Sequence, residues 1–176
     1  DMNFEARMDV TVHEYIEMIR LKTSVLLGCA LEMGAIVAGA SETNRKEIYN
    51  FGQYLGIAFQ IQDDILDLYA DPEKFGKMVG GDVAANKKTL LYLTAVSNAT
   101  QEQLEILKQL QREDNLTLKI NRTRELFDHL QVREKCRETM MEFQNKAMTA
   151  LDQIDTPADR KQALIALADF LLNREL

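Results

Sequence analysis

The sequence predicts an all-α protein, and three observations predict it. Only two prolines and eight glycines occur in 176 residues. The remainder is rich in Leu, Ala, Glu, Lys, Gln and Met, the residues that lose least on entering a helix. Helix starts are also legible. Thr11 with Glu14 and Thr100 with Gln103 match capping boxes, and Thr156 before Pro157, with Asp159 at the third position, offers another.

These signals divide the chain into helices over 11–20, 22–39, 43–70, 87–98, 101–112, 116–130, 133–154 and 157–173. The first, with Thr11 and Glu14 at its head, carries His13, expected on the surface or in packing. The second, Ser24–Ala40, is apolar on most faces and too short for the roughly 20 residues that cross a bilayer; with Glu32 inside it, it reads as a helix buried within the protein. The third is small or apolar over 51–70, with Gly52, Gly56 and Ala58. Small residues let helices approach closely around a cavity. Pro72, Gly76, Gly80 and Gly81 then break the helical pattern over 71–86. From 101 onward the helices carry an ordinary stripe, such as Leu104, Leu107 and Leu110 against Glu102, Glu105 and Lys108. The expected organisation is one all-helical domain or partial domain, with ligand-binding helices and a Gly/Lys loop in 1–98 and outer amphipathic helices in 99–176.

The charge excludes some functions. Twenty-eight acidic and 21 basic residues give a net charge of −7, which disfavours nonspecific nucleic-acid binding because phosphate neutralisation needs a basic face. Cys29 and Cys136 show no CxxC spacing, so neither zinc nor a disulfide framework is indicated. No leader is apparent, and a cytoplasmic location is expected. The chain opens on Asp1 rather than Met, so an upstream segment is expected too.

Chemistry concentrates in Phe59-Gln60-Ile61-Gln62-Asp63-Asp64-Ile65-Leu66-Asp67. Asp63 and Asp67 lie one above the other on a helix, with Gln60 a turn earlier on the same face and Asp64 about 100° away. Three carboxylates at a helix C-terminus repel one another and oppose the macrodipole, so something cationic should compensate. Oxygen ligands select a hard ion, Mg²⁺ or Mn²⁺, and Mg²⁺ with one or two carboxylates implies a phosphorylated ligand. The alternative is a solvated acidic helix end. The loop that follows reads Gly76-Lys77-Met78-Val79-Gly80-Gly81-Asp82, then Asn86-Lys87-Lys88-Thr89. Its glycines permit close backbone approach, and Lys77 and Lys87 supply compact charges suited to phosphate. The spacing is not that of a P-loop. Lys22-Thr23 forms a third element: Lys22 reaches a diphosphate or merely snorkels. No catalytic base or nucleophile is evident, since His13, His129, Ser24 and Cys29 lack partners for such roles.

Together, Tyr15-Ile16-Glu17-Met18-Ile19 with Lys22-Thr23, the block from Phe51-Gly52 through Leu55-Gly56 to Asp67, and then Gly76-Lys77, Gly81-Asp82 and Lys87-x-Thr89 resemble the trans-isoprenyl diphosphate synthases, of the short-chain farnesyl and geranylgeranyl type. The resemblance covers residues 13–98 closely and the rest through helix pattern. It implies an isoprenoid-synthase-type helical bundle and a prenyltransferase that condenses isopentenyl diphosphate with an allylic diphosphate, aided by Mg²⁺. It further implies that Asp63, Asp64 and Asp67 are the second aspartate-rich motif, with Asp63 a direct metal ligand and Asp67 acting directly or through water. Lys22, Thr23, Gln60, Lys77 and Lys87 then hold the diphosphate, Lys22 and Lys77 also stabilising it as it departs. Asp82 is a further site residue or a helix cap. A homodimer that is not an integral membrane protein is implied. The family's first aspartate motif and its isopentenyl diphosphate site are absent, so the chain is expected to be the C-terminal half of the bundle and inactive alone. The competing readings are a non-catalytic subunit or binding protein, and a terpene cyclase, against which DDxxD argues.

Overall fold

The computed structural model describes Arg7 and residues 9–71 and 79–172. Gly76 and Lys77 therefore lie outside the described residues. The elements in order are α1 (Val12–Ile19), a π-helical turn (Arg20–Ser24), α2 (Val25–Val37), α3 (Glu42–Tyr69), α4 (Gly81–Ala84), α5 (Leu90–Asn98), α6 (Gln101–Gln111), α7 (Leu116–His129), α8 (Val132–Gln153) and α9 (Ala158–Leu172). No strand occurs among the described residues, so the all-α expectation holds.

Two predicted capping boxes form. Glu14 N–H donates to Thr11 Oγ1 at 3.2 Å while Thr11 N–H donates to Glu14 Oε2 at 2.9 Å. Thr100 and Gln103 pair in the same reciprocal way at the head of α6. The helix from Ala158 instead starts with the Arg160 amide on the Pro157 carbonyl. Asn115 caps α7 by accepting from Leu118 N–H at 3.1 Å, which satisfies one of the first-turn amides that would otherwise lack a partner.

Two expectations change. The boundary predicted between residues 20 and 22 is no break: the chain stays helical through Arg20–Ser24, with Val25 N–H bonding back to the Arg20 carbonyl. Such a turn holds one residue more than an α-helical one. The reading of Ser24–Ala40 as a buried helix is also corrected. In α2 Leu26 is 75%, Met33 65% and Val37 90% exposed. Around Gly28 and Leu31, α2 lies close against α3. A Cβ added to Gly52 would stand 2.9 Å from Gly28 Cα, and one added to Gly56 would stand 2.8 Å from Ser24 Cα. Backbones come close there, with the Leu31 side chain of α2 and the Tyr49 ring of α3 in the same seam, while Leu26, Met33 and Val37 point elsewhere.

The chain forms two compact units that interleave along the sequence. One comprises residues up to Tyr15 together with Asp63–Glu138, and the other Ile16–Gln62 with Thr139–Glu175. Ile65, Leu68, Leu90, Leu91, Phe127 and Val132 are buried in the first; Phe51, Leu55, Ile57, Ile61 and Leu151 in the second. Leu107 is buried while Glu102, Glu105 and Lys108 are exposed, as the stripe on α6 predicts.

Candidate active site

The last two turns of α3 carry the aspartates, and each meets different surroundings. Asp64 faces protein. Its Oδ2 accepts from the Tyr15 hydroxyl at 2.5 Å and from Leu90 N–H at 3.1 Å. Tyr15 is 3% exposed, so this carboxylate ties α1 and the start of α5 to α3. Burial pushes the Asp64 carboxyl up to about 7, against the pull of its two hydrogen bonds. The same bond explains why α5 begins at Leu90 rather than 87. Thr89 makes no side-chain cap, and the cap comes from Asp64.

Asp67 holds the turn that follows. Its carbonyl accepts from Gly80 N–H at 2.5 Å, and its Oδ2 accepts from Asp82 N–H at 2.9 Å. Gly80 sits at φ 85°, in the left-handed region open to glycine. A Cβ on Gly81 would come within 3.3 Å of Asp67 Oδ1. Burial raises the Asp67 carboxyl, and the Asp82 charge adds to that, while the Asp82 amide and Lys87 act the other way. Asp82 forms an ion pair with Lys87, which holds the Lys87 ammonium above its usual range. Asp63 is half-buried, one turn ahead of Asp67.

The charge at this helix end has a protein counterpart that sequence reasoning missed. Arg124 Nη2 donates to the Leu68 carbonyl at 2.8 Å, placing a guanidinium where the helix macrodipole is negative. Arg133 lies over the Tyr69 ring at 4.9 Å. No sequence signal marks Arg124, because it is 56 residues away and belongs to a helix of interleaved charges. Among the described residues no group of three His, Cys, Asp or Glu side chains is arranged to hold a metal. Asp63 and Asp67 nevertheless fit the sparse donor set of Mg²⁺, which takes one or two carboxylates and leaves its other positions to water and phosphate oxygens.

The other unit brings together a second set. Lys22 and Thr23 lie in the π-helical turn, and Thr23 Oγ1 donates to Gln60 Oε1 at 3.2 Å. The structure thus joins two predicted residues that are 37 positions apart. Lys22 is exposed. His13 and His129 are exposed as well.

Known proteins match nearly the whole chain. Residues 1–129 match the family model described as polyprenyl synthetase. A short chain isoprenyl diphosphate synthase from Methanothermobacter thermautotrophicus is 35% identical over 99% of this chain and 53% of its own length. The crystal structure of a geranylgeranyl pyrophosphate synthase superposes with a TM-score of 0.91 at 38% identity, covering 100% of this chain and 55% of that one. A polyprenyl synthase from Caulobacter crescentus, complexed with calcium and isoprenyl diphosphate, superposes at 0.88 and 29% identity over 99% of this chain and 53% of its own. The chain therefore spans about half the length of the relatives it matches. With its helices, its aspartate-rich helix end and these matches in agreement, the chain belongs to the polyprenyl synthetase family.

Proposed function

We propose that this chain supplies the diphosphate-holding part of a trans-prenyltransferase that condenses isopentenyl diphosphate with an allylic diphosphate in isoprenoid biosynthesis. One observation carries the reading: Asp67, at the end of the aspartate-rich helix, is bound to the Gly80–Asp82 backbone, and Asp82 pairs with Lys87. Acidic and basic groups are thereby held together beside a glycine turn. The calcium and isoprenyl diphosphate in the Caulobacter relative support it.

In this reading Asp63 and Asp67 hold Mg²⁺, with Mn²⁺ as a substitute, and the ion supplies Lewis-acid stabilisation of the diphosphate. Lys22, Thr23, Gln60, Lys77 and Lys87 hold the diphosphate oxygens, Lys22 and Lys77 stabilising charge as the group departs. Asp64 belongs to the catalytic motif as a positioning residue, since Tyr15 and Leu90 engage its carboxylate. The apolar helices keep water from the allylic cation. We place the enzyme in the cytoplasm as a homodimer. No described helix is long and apolar enough to cross a membrane.

The remaining part of the active site is assigned to sequence outside this chain. A match to about half of each relative and the exposed apolar side of α2 both support that assignment. A radiolabelled condensation assay tests it: the full-length protein turns over and the 176-residue chain alone does not. In the full-length protein Asp63→Ala should weaken Mg²⁺-dependent pyrophosphate binding by about tenfold or more. Unchanged binding by calorimetry would sink the metal assignment.

A further inference from the structure

Helix α7 lies outside the aspartate motif, yet its side chains reach both pieces of backbone that Asp67 joins. It packs on α4 and on α6. Lys119 is 4% exposed. Its ammonium donates to the Ala84 carbonyl at 3.4 Å and to the Gln111 carbonyl at 3.3 Å. Those are the last residues of α4 and α6, where carbonyls lack helical partners and the macrodipole is negative. A buried lysine is costly unless its charge is compensated, and here two helix ends do so. Asn86 Nδ2 donates to the same Gln111 carbonyl at 3.1 Å. Lys87 N–H in turn donates to the Asp82 carbonyl at 2.9 Å. The path of residues 84–87, and with it the origin of the Lys87 side chain, is fixed against Lys119.

The next positions on α7 take hold of the neighbouring backbone. Ile120 covers Gly80 so closely that a Cβ there would stand 2.7 Å from Ile120 Cγ2. Arg124 bonds the Leu68 carbonyl at 2.8 Å, and Asp128 Oδ1 accepts from the Tyr69 hydroxyl at 2.8 Å. Residues 120, 124 and 128 are spaced by four and share one face of the helix. One rigid element therefore grips the end of the aspartate helix and the glycine turn together.

We propose that α7 is a brace that sets the separation of Asp67 from Lys87, with Lys119 as its principal positioning residue for diphosphate binding. The inference rests on the functional reading above for its ligand and on geometry alone for the brace. Neither Lys119 nor Arg124 touches substrate in this scheme. Both act through the turn.

The test uses the full-length protein carrying Lys119→Met, which keeps the apolar stem and removes the charge, and Lys119→Arg, which keeps it. Hydrogen exchange should accelerate in Lys119→Met over residues 79–88, while amides of α8 and α9 exchange as in the wild type. Binding of inorganic pyrophosphate with Mg²⁺ should weaken by about tenfold, and the KM for the allylic diphosphate should rise while that for isopentenyl diphosphate stays. Lys119→Arg should restore both. Exchange over 79–88 that matches the wild type, or that rises equally along the whole chain, overturns the brace. Equal rises in both KM values, unrescued by arginine, also overturn it. Wild-type protein that binds no pyrophosphate overturns the diphosphate reading instead, and the exchange comparison still decides the brace.

Discussion

At the scale of single residues, the three aspartates differ through what each one's neighbours donate. Asp64 is spent on protein: one oxygen receives Tyr15 and Leu90, in a setting that favours the protonated carboxyl up to about 7. Tyr15→Phe removes one of these donors and leaves a buried acceptor short of a partner. The expected loss is about 1–3 kcal/mol of stability by chemical denaturation. A variant as stable as the wild type would show that the bond contributes little. Sequence reasoning placed all three carboxylates correctly on the helix but could not name the protein groups that engage them, because those donors come from positions 15, 82 and 90. The Thr11–Glu14 and Thr100–Gln103 pairs were legible for the opposite reason. Each closes within three residues, so local spacing specifies it. Lys119 and Arg124 were illegible, since a cation on a helix of mixed charge reads as solvated until its tertiary neighbours are known.

Among the helices, the small residues prove more informative than the large ones. Gly28, Gly52 and Gly56 bring the α3 backbone close to α2 and to Ser24 just ahead of it, with no room for an added Cβ. Gly56→Ala would put a methyl 2.8 Å from Ser24 Cα, an atom that moves only with its backbone. We expect about 1–3 kcal/mol of destabilisation, seen as a lower denaturation midpoint at unchanged slope. An unchanged midpoint would mean that the two helices separate easily. The glycine pattern was readable as close helix approach, and it holds on one side of α2. Which residues would be covered on the other side was not readable, because an apolar helix looks alike in sequence whether its faces are packed or bare. The same limit applies to the turn after α3: glycines announced an irregular segment, but the four-residue helix Gly81–Ala84 inside it depends on Asp67 capping it from a distance.

For the whole molecule, the side of α2 bearing Leu26, Met33, Ile36 and Val37 is a run of exposed apolar side chains among the described residues. Contiguous apolar exposure of this kind usually marks an interaction site. Under the proposed function it belongs against the portion of the enzyme that this chain does not include. The 176-residue chain should accordingly bind the dye ANS more strongly, per molecule, than the full-length protein, and Leu26→Glu with Met33→Glu should reduce that excess. Equal dye binding by the two proteins would remove the support this surface gives to the half-site assignment. The family's fold class was legible from composition and helix starts alone, because few residues here can interrupt a helix.

The π-helical turn at Arg20–Ser24 has a bearing on which insertions and deletions this chain can accept. Its additional residue is taken up by widening one turn, so α1 and α2 keep nearly the phase of one continuous α-helix. Losing one residue there would close the turn to ordinary α-helix without rolling α2, whereas losing one between Gly52 and Gly56 would roll the rest of α3 by about 100° about its axis. Gly56 would then leave Ser24 and a larger side chain would arrive in its place, while Gln60 would turn from Thr23. The π-helical turn is thus the place along α1 and α2 where the chain can give up one residue and still keep Gly28 against α3.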